Sequence, residues 1–221
     1  MSAVGCDEML VYTDMHALSF DLFSPLLDQA SGRVHAVLPK AIGLRGEGAF
    51  KGCFDKVFDE DEGTRFEVCI ESVSGRKVFC DVRPAKSAFS SCADDEAHVR
   101  NLERHYRPLL AEHVDARWLE PAAFFGHYEI LRKLSYLGRY PDSGLAFIFP
   151  KANDRLLESE EVIKQMVSKS LAPRVAILHV EYLLARLLTL TEDDPALHER
   201  FVKIKEKYVP AQHSGDQVHR G

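Results

Sequence analysis

The chain lacks most of the features that would assign it to a specialised class at once. Among its 221 residues no segment reaches the ~18 uninterrupted apolar residues of a membrane-spanning helix, and the nearest approach, Arg174–Leu190, is broken by Arg174, His179, Glu181 and Arg186. There is no internal repeat and no low-complexity tract, which excludes solenoids and collagen-like fibres. Cysteine is scarce: Cys6, Cys53, Cys69, Cys80 and Cys92 form an odd set with irregular spacing, which excludes a disulfide framework and predicts free thiols in a reducing cytoplasm. The opening stretch MSAVGCDEMLVYTDMHALSF has no basic segment followed by an apolar one, so no secretory leader is expected. An excess of positive charge is also missing. Lys plus Arg is 28 against 34 for Asp plus Glu, a net charge of −6, which argues against non-specific wrapping of nucleic acid while leaving room for a local basic patch.

What is present is an ordinary globular composition, 46% apolar and 28% charged. A chain of this length buries roughly 70% of its unfolded surface and folds without a metal or disulfide. A single domain over residues 1–210, with a loose tail at 211–221, fits the pattern.

Residues 17–29 carry Leu18, Leu22 and Leu26 at helical spacing, with Pro25 weighing against one continuous helix. Residues 31–46, with Gly32, Pro39, Gly43 and Gly46, read as irregular. Phe50, Phe54 and Phe58 at i, i+4, i+8 predict a helix over 47–58, and the acidic run 59–63 a solvated loop. Residues 65–72 alternate, a short turn over 72–75 follows, and 76–83 ends before Pro84, which predicts an antiparallel hairpin. Helices are expected over 94–111, with Val99, Leu102, Tyr106 and Leu109 on one face, over 120–138, opened by Pro121 and stopped by Gly138, and over 152–170, 181–190 and 194–208. The apolar runs 145–149 and 175–180 read as strands buried on both faces. The fold class is α/β, a mixed central sheet flanked by helices.

The chemistry concentrates on the hairpin. Alternation puts Glu67, Cys69 and Glu71 on one face of the first strand, and Phe79, Asp81 and Arg83 on one face of the second. The hairpin therefore brings a carboxylate from each strand together. Two adjacent carboxylates repel unless a cation lies between them, and an oxygen-rich pair suits Mg²⁺ or Mn²⁺. A neighbouring cation can then stabilise charge developing on a phosphate. The plainer reading of acids on a hairpin is a solvated face or cross-strand ion pairing.

At this hairpin the sequence resembles the PD-(D/E)xK, or restriction-endonuclease-like, superfamily: a carboxylate on one strand, a short turn, then (D/E)-x-K on the next. ALSFDLFSPLL (17–27), CDVRPAKSAF (80–89), FFGHYEILRKLSYLGRY (124–140), LAFIFPKANDRLLE (145–158) and FVKIKEKY (201–208) resemble, in order, the motifs of one branch, a group of small bacterial nucleases. The resemblance implies a restriction-endonuclease-like core and Mg²⁺- or Mn²⁺-dependent hydrolysis of phosphodiester bonds, most naturally in DNA. Glu67 and Asp81 would hold the metal, and Arg83 or Lys86 would supply the cation.

The triplet departs from the pattern. Phe66-Glu67 stands for Pro-Asp, with Glu71 a rival acid, and Asp81-Val82-Arg83 carries a planar guanidinium where the family has an ammonium. The alternative is accordingly a nuclease-fold module without activity that binds nucleic acid or protein. A third reading is an oligomerising structural or regulatory protein, whose homodimer would use residues 50–58 or the helix 124–140.

Other candidates are secondary. Arg100, Arg104 and Arg107 form a helical stripe that either contacts phosphates or pairs with Glu96 and Glu103. Tyr128, Arg132 and Tyr136 either line the site or support the core. His98 and His105, seven residues apart, do not match the metal-binding i, i+4 spacing. Cys69 and Cys80 are expected as neighbours across the hairpin, as buried thiols rather than a Zn²⁺ site. Ser87, Ser90 and Ser91 lack a histidine partner, and GLRGEG (43–48) lacks the Lys-Ser/Thr of a phosphate loop.

Overall fold

A computed structural model describes residues 6–27, 42, 50–59 and 63–209. The irregular segment 31–46 (Ile42 apart), the GLRGEG segment, most of the acidic run and the tail from 211 lie outside the described residues.

Five strands form one mixed sheet in the order β1 (Phe50–Asp59), β2 (Thr64–Ser72), β3 (Lys77–Val82), β4 (Gly144–Phe149) and β5 (Val175–His179). β1, β2 and β3 pair antiparallel, and β3, β4 and β5 pair parallel. The hairpin forms as its alternation predicts. Gly75 turns the chain at φ +81°, a left-handed conformation open to glycine, and its N–H donates to the Ser72 carbonyl at 2.9 Å. β4 is central and buried throughout, as its apolar run requires. β5 joins the same sheet at the edge, so it is largely half-buried rather than covered on both faces.

Residues 50–58 are strand β1, not a helix. Even spacing serves a strand as well as i, i+4 serves a helix, so the three phenylalanines carry no helical signal of their own. Nor do they share a face: Phe58 packs on one side of the sheet and Phe50 and Phe54 on the other, and between them Asp55 breaks the extended backbone at φ +52°.

One face of the sheet is covered by α1 (Cys6–Leu27) and by α7 (Val180–Leu190) and α8 (Pro195–Tyr208), around Leu22, Phe23, Val68, Ile70, Val82, Ile148, Leu184 and Phe201. α1 runs through Pro25, which cannot donate to the Asp21 carbonyl, and ends two residues later. The other face carries α2 (Glu96–Asn101), a π-helical turn (Leu102–Tyr106), α3 (Arg107–Leu110), α4 (Pro121–Gly126), α5 (Tyr128–Arg139) and α6 (Asp154–Met166), around Phe79, Leu131, Leu134, Leu137, Phe147 and Ile163. The helix expected over 94–111 is thus widened in its middle. Pro108 cannot donate to the Arg104 carbonyl, and Arg107 N–H reaches back five residues to Leu102. Leu110, rather than Leu109, completes its buried stripe with Leu102 and Tyr106.

The helix expected over 120–138 is two helices that break at His127. Gly138 does not stop the second. A Cβ there would lie 2.1 Å from the Leu109 carbonyl oxygen, so the glycine permits close approach of α3 and α5. The end of α5 is instead capped by Arg174, which donates to the Leu137 and Tyr140 carbonyls at 2.7 Å each. Asn153 and Asp194 cap α6 and α8, accepting from Leu156 and Leu197 N–H at 3.2 Å. Among the described residues no helix is long and apolar enough to cross a membrane.

Candidate functional site

The ladder between β2 and β3 pairs Val68 with Cys80, so its next step sets Glu67 opposite Asp81, both facing α5. The acids meet as the alternation predicts, and Asp81 is fully buried and Glu67 nearly so. Arg83, two residues beyond Asp81 on the same face, folds back over it. Its Nε lies 3.2 Å from both Asp81 oxygens and its Nη1 donates to the Ala88 carbonyl at 2.9 Å. Its guanidinium also pairs with Glu129 and stacks on Phe89, 4.2 Å from the ring centre.

Two members of the cluster come from α5 and are not among the residues singled out from the sequence. Lys133, 2% exposed, donates to Asp81 Oδ1 at 2.6 Å, and stands 3.9 Å from both Glu67 Oε2 and Glu129 Oε1. Glu129 closes the ring, accepting from Arg83 and from the Ser90 N–H and hydroxyl at 2.8 and 3.1 Å. A signal for Lys133 existed. It follows Ile130 by three residues and precedes Leu137 by four, which places it on the apolar face of an amphipathic helix.

The electrostatics divide the two hairpin acids. Burial pushes the Glu67 carboxyl up to about 7, with the Asp81 charge adding to the effect against the pull of Lys133. Burial also opposes ionisation of Asp81, but Arg83 and Lys133 outweigh it and hold that carboxyl down to about 2. Glu129 is likewise lowered, its burial overcome by Arg83 and Lys133. Glu67 is the proton-holding member, accepting the Val82 N–H at 3.0 Å through Oε2. With Glu67 protonated, the negative Asp81 and Glu129 balance the positive Arg83 and Lys133, of which only Glu129 reaches part-way to the surface.

A divalent ion needs several oxygens at about 2.0–2.6 Å. The present donor set does not fit one. Asp81 is saturated by Arg83 and Lys133, Glu67 favours its neutral form, Arg83 separates Glu129 from Asp81, and no group of three or more His, Cys, Asp or Glu among the described residues could hold a metal. The ammonium of Lys133 neutralises Asp81 directly, at 2.6 Å.

The remaining candidates are scattered. Lys86 is exposed and lines a different cleft, with Ala17, Pro150, Lys205 and Tyr208, on the α1 and α8 side. Glu71 pairs with Lys77 at 2.8 Å near the turn. Arg100 and Arg107 bridge Glu96 and Glu103 at 3.3 and 2.7 Å, and Arg104 is exposed beside them. The Tyr128 hydroxyl is 3.2 Å from that of Tyr106, Arg132 stacks on Tyr128 at 5.1 Å, and Tyr136 packs among Phe66 and Phe79 at 5.2 and 5.6 Å. Tyr128 and Tyr136 tie α5 to its surroundings, while the Arg132–Tyr128 contact lies within the helix. His98 pairs with Asp95, the N-cap of α2, at 2.9 Å, while His105 is exposed. The Ser87 hydroxyl donates to the Pro84 carbonyl at 2.9 Å.

Cys69 and Cys80 are not neighbours on one face. Cys69 pairs with Phe79 and packs toward α5, while Cys80 packs toward α1. Burial pushes the Cys69 thiol up to about 12 and raises that of Cys80 as well, so both are neutral thiols at physiological pH.

Compared with known proteins, the chain matches no family model, and no curated protein or solved structure matches it.

Proposed function

We propose that this chain is a nuclease-like α/β protein whose hydrolytic position has been taken over by an internal ion cluster, and that it acts by binding rather than by metal-dependent hydrolysis. The observation that carries this reading is the Lys133 ammonium, 2.6 Å from Asp81 and neutralising its carboxylate without a metal. The hairpin with one acid per strand supports the nuclease-like ancestry, and the restriction-endonuclease-like core belongs to the same proposal. A protein is the partner this reading favours. The net charge is −6, and Arg100 and Arg107, the residues best spaced for a phosphate backbone, are already neutralised by Glu96 and Glu103.

One observation favours a second reading, a Mg²⁺- or Mn²⁺-dependent deoxyribonuclease. Lys133 brings to Asp81 the amine that position 83 lacks, so two acids and an ammonium assemble from β2, β3 and α5. Titration calorimetry with Mn²⁺, paired with cleavage assays on single-stranded, duplex and branched DNA, separates the two. No metal binding and no cleavage fits the binding module. Metal binding that Asp81→Asn abolishes, with cleavage, would establish the nuclease.

A further inference from the structure

The helix-like spacing of Phe50, Phe54 and Phe58 hides in the sequence the relation of Cys53 to Cys69. As strands, β1 and β2 set them directly opposite each other in the antiparallel ladder. They point the same way: Cys69 is part of the core beneath α5 and Cys53 packs against it. The Cys53 thiol lies 3.6 Å from the Cys69 carbonyl oxygen. Directly opposed residues of antiparallel strands have Cα atoms about 4.5 or 5.5 Å apart, and both spacings fall within the ~4.4–6.8 Å range of disulfides. Their Cβ atoms, about 4.5–5.5 Å apart, must draw in slightly to reach the ~3.5–4.5 Å that a disulfide needs. A bond formed there is therefore strained and readily reduced. The other described cysteines are placed differently. Cys80 packs on the opposite face, and Cys92 lies in the loop before α2, its N–H on the Phe125 carbonyl.

We propose that Cys53 and Cys69 are a reversible thiol pair, oxidised by a small disulfide such as glutathione disulfide to a cross-strand bond that staples the edge strand β1 to β2. Cys53, half-buried and on the edge strand, is the entry point. Its thiolate attacks one sulfur of glutathione disulfide, forming a mixed disulfide and releasing one glutathione. Cys69 then loses its proton and attacks the Cys53 sulfur, releasing the second glutathione. The protein gives up two electrons and two thiol protons, and glutathione disulfide becomes two glutathiones. Closure waits on a buried thiol, so it belongs to the slow end of the seconds-to-hours range of such exchanges. The staple sits on the strand that carries Glu67, two residues from Cys69, and holds β1 against the hairpin that positions the ion cluster.

The test is incubation of the full chain with glutathione disulfide, followed by thiol counting and peptide mass spectrometry. The expected result is a loss of two free thiols and a linked peptide joining Cys53 to Cys69, reversed by dithiothreitol. Cys69→Ser should stop at glutathione on Cys53, and Cys53→Ser, at a half-buried position, should form neither product. A stable mixed disulfide on Cys53 in the unmodified chain, a link to Cys80 or Cys92 instead, or an unreactive Cys53 would each overturn the proposal.

Discussion

Lys133 Nζ and Asp81 Oδ1 lie 2.6 Å apart, joining α5 to β3 across 52 residues of sequence, with both side chains closed to water. The pair belongs to a group in which every charge has an opposite charge in contact. Removing one partner leaves the other buried and uncompensated, which typically costs about 3–5 kcal/mol. Lys133→Met should therefore destabilise the fold by about that much in chemical denaturation. A loss under about 1 kcal/mol, the scale of an exposed pair, would show that the contact opens to solvent.

The split between the two hairpin acids has a pH signature. Glu67 titrates near 7 in the folded chain, against about 4.3 unfolded. The folded state then holds a proton that the unfolded state releases across this window. Stability contributed by protonated Glu67 is complete below the unfolded value and is lost as pH rises through the folded value, by about 3–4 kcal/mol for a shift of this size. Asp81 works in the opposite direction, its contribution present above about 4 and lost as pH falls towards about 2. Glu67→Gln keeps an acceptor for the Val82 N–H and removes the titration. Its denaturation midpoint should vary less between pH 5 and 7 than that of the unmodified chain. Equal pH slopes would show that Glu67 is ionised throughout.

Phe147, in the middle of β4, is completely buried and meets Phe89 edge-on at 5.6 Å. Phe147→Ala should cost about 3–5 kcal/mol, the usual range for emptying such a site. Urea titration gives the value, and a loss below about 1 kcal/mol would make this strand peripheral.

Gly138 tests the packing of α5 from its far end. The Leu109 carbonyl is backbone and cannot swing aside, so Gly138→Ala should cost at least about 1–3 kcal/mol despite the better helix propensity of alanine. A stabilised variant would mean that α3 and α5 are further apart than described.

Much of the sheet was legible because alternation and unbroken apolar runs are direct consequences of burial. The hairpin and β4 follow from 65–72, 76–83 and 145–149, and β4 is covered on both faces as its run demands. Residues 50–58 were misleading because a spacing of four serves both a helix and a strand, and nothing local chooses between them. The meeting of Glu67 with Asp81 was readable from the register of a tight hairpin. What surrounds them was legible only in part. Lys133 falls on the apolar face of its helix, but the pair it forms with Glu129, four residues before it, has the form of an ordinary exposed helix pair, and only the tertiary placement of α5 over the sheet shows what the two meet. Arg83 was expected to face a metal or a phosphate, and its guanidinium is instead divided between Asp81 and Glu129.

The most direct test of the ion-cluster account is calorimetric titration of Mn²⁺ into the unmodified chain and the Arg83→Lys variant, each also assayed for Mg²⁺-dependent DNA cleavage. Arg83→Lys restores the (D/E)-x-K triplet but leaves Lys133 on Asp81, so the account predicts no Mn²⁺ heat and no cleavage from either protein. Mn²⁺ binding by the unmodified chain, or cleavage that appears with Arg83→Lys and vanishes when Asp81→Asn is added, would contradict it.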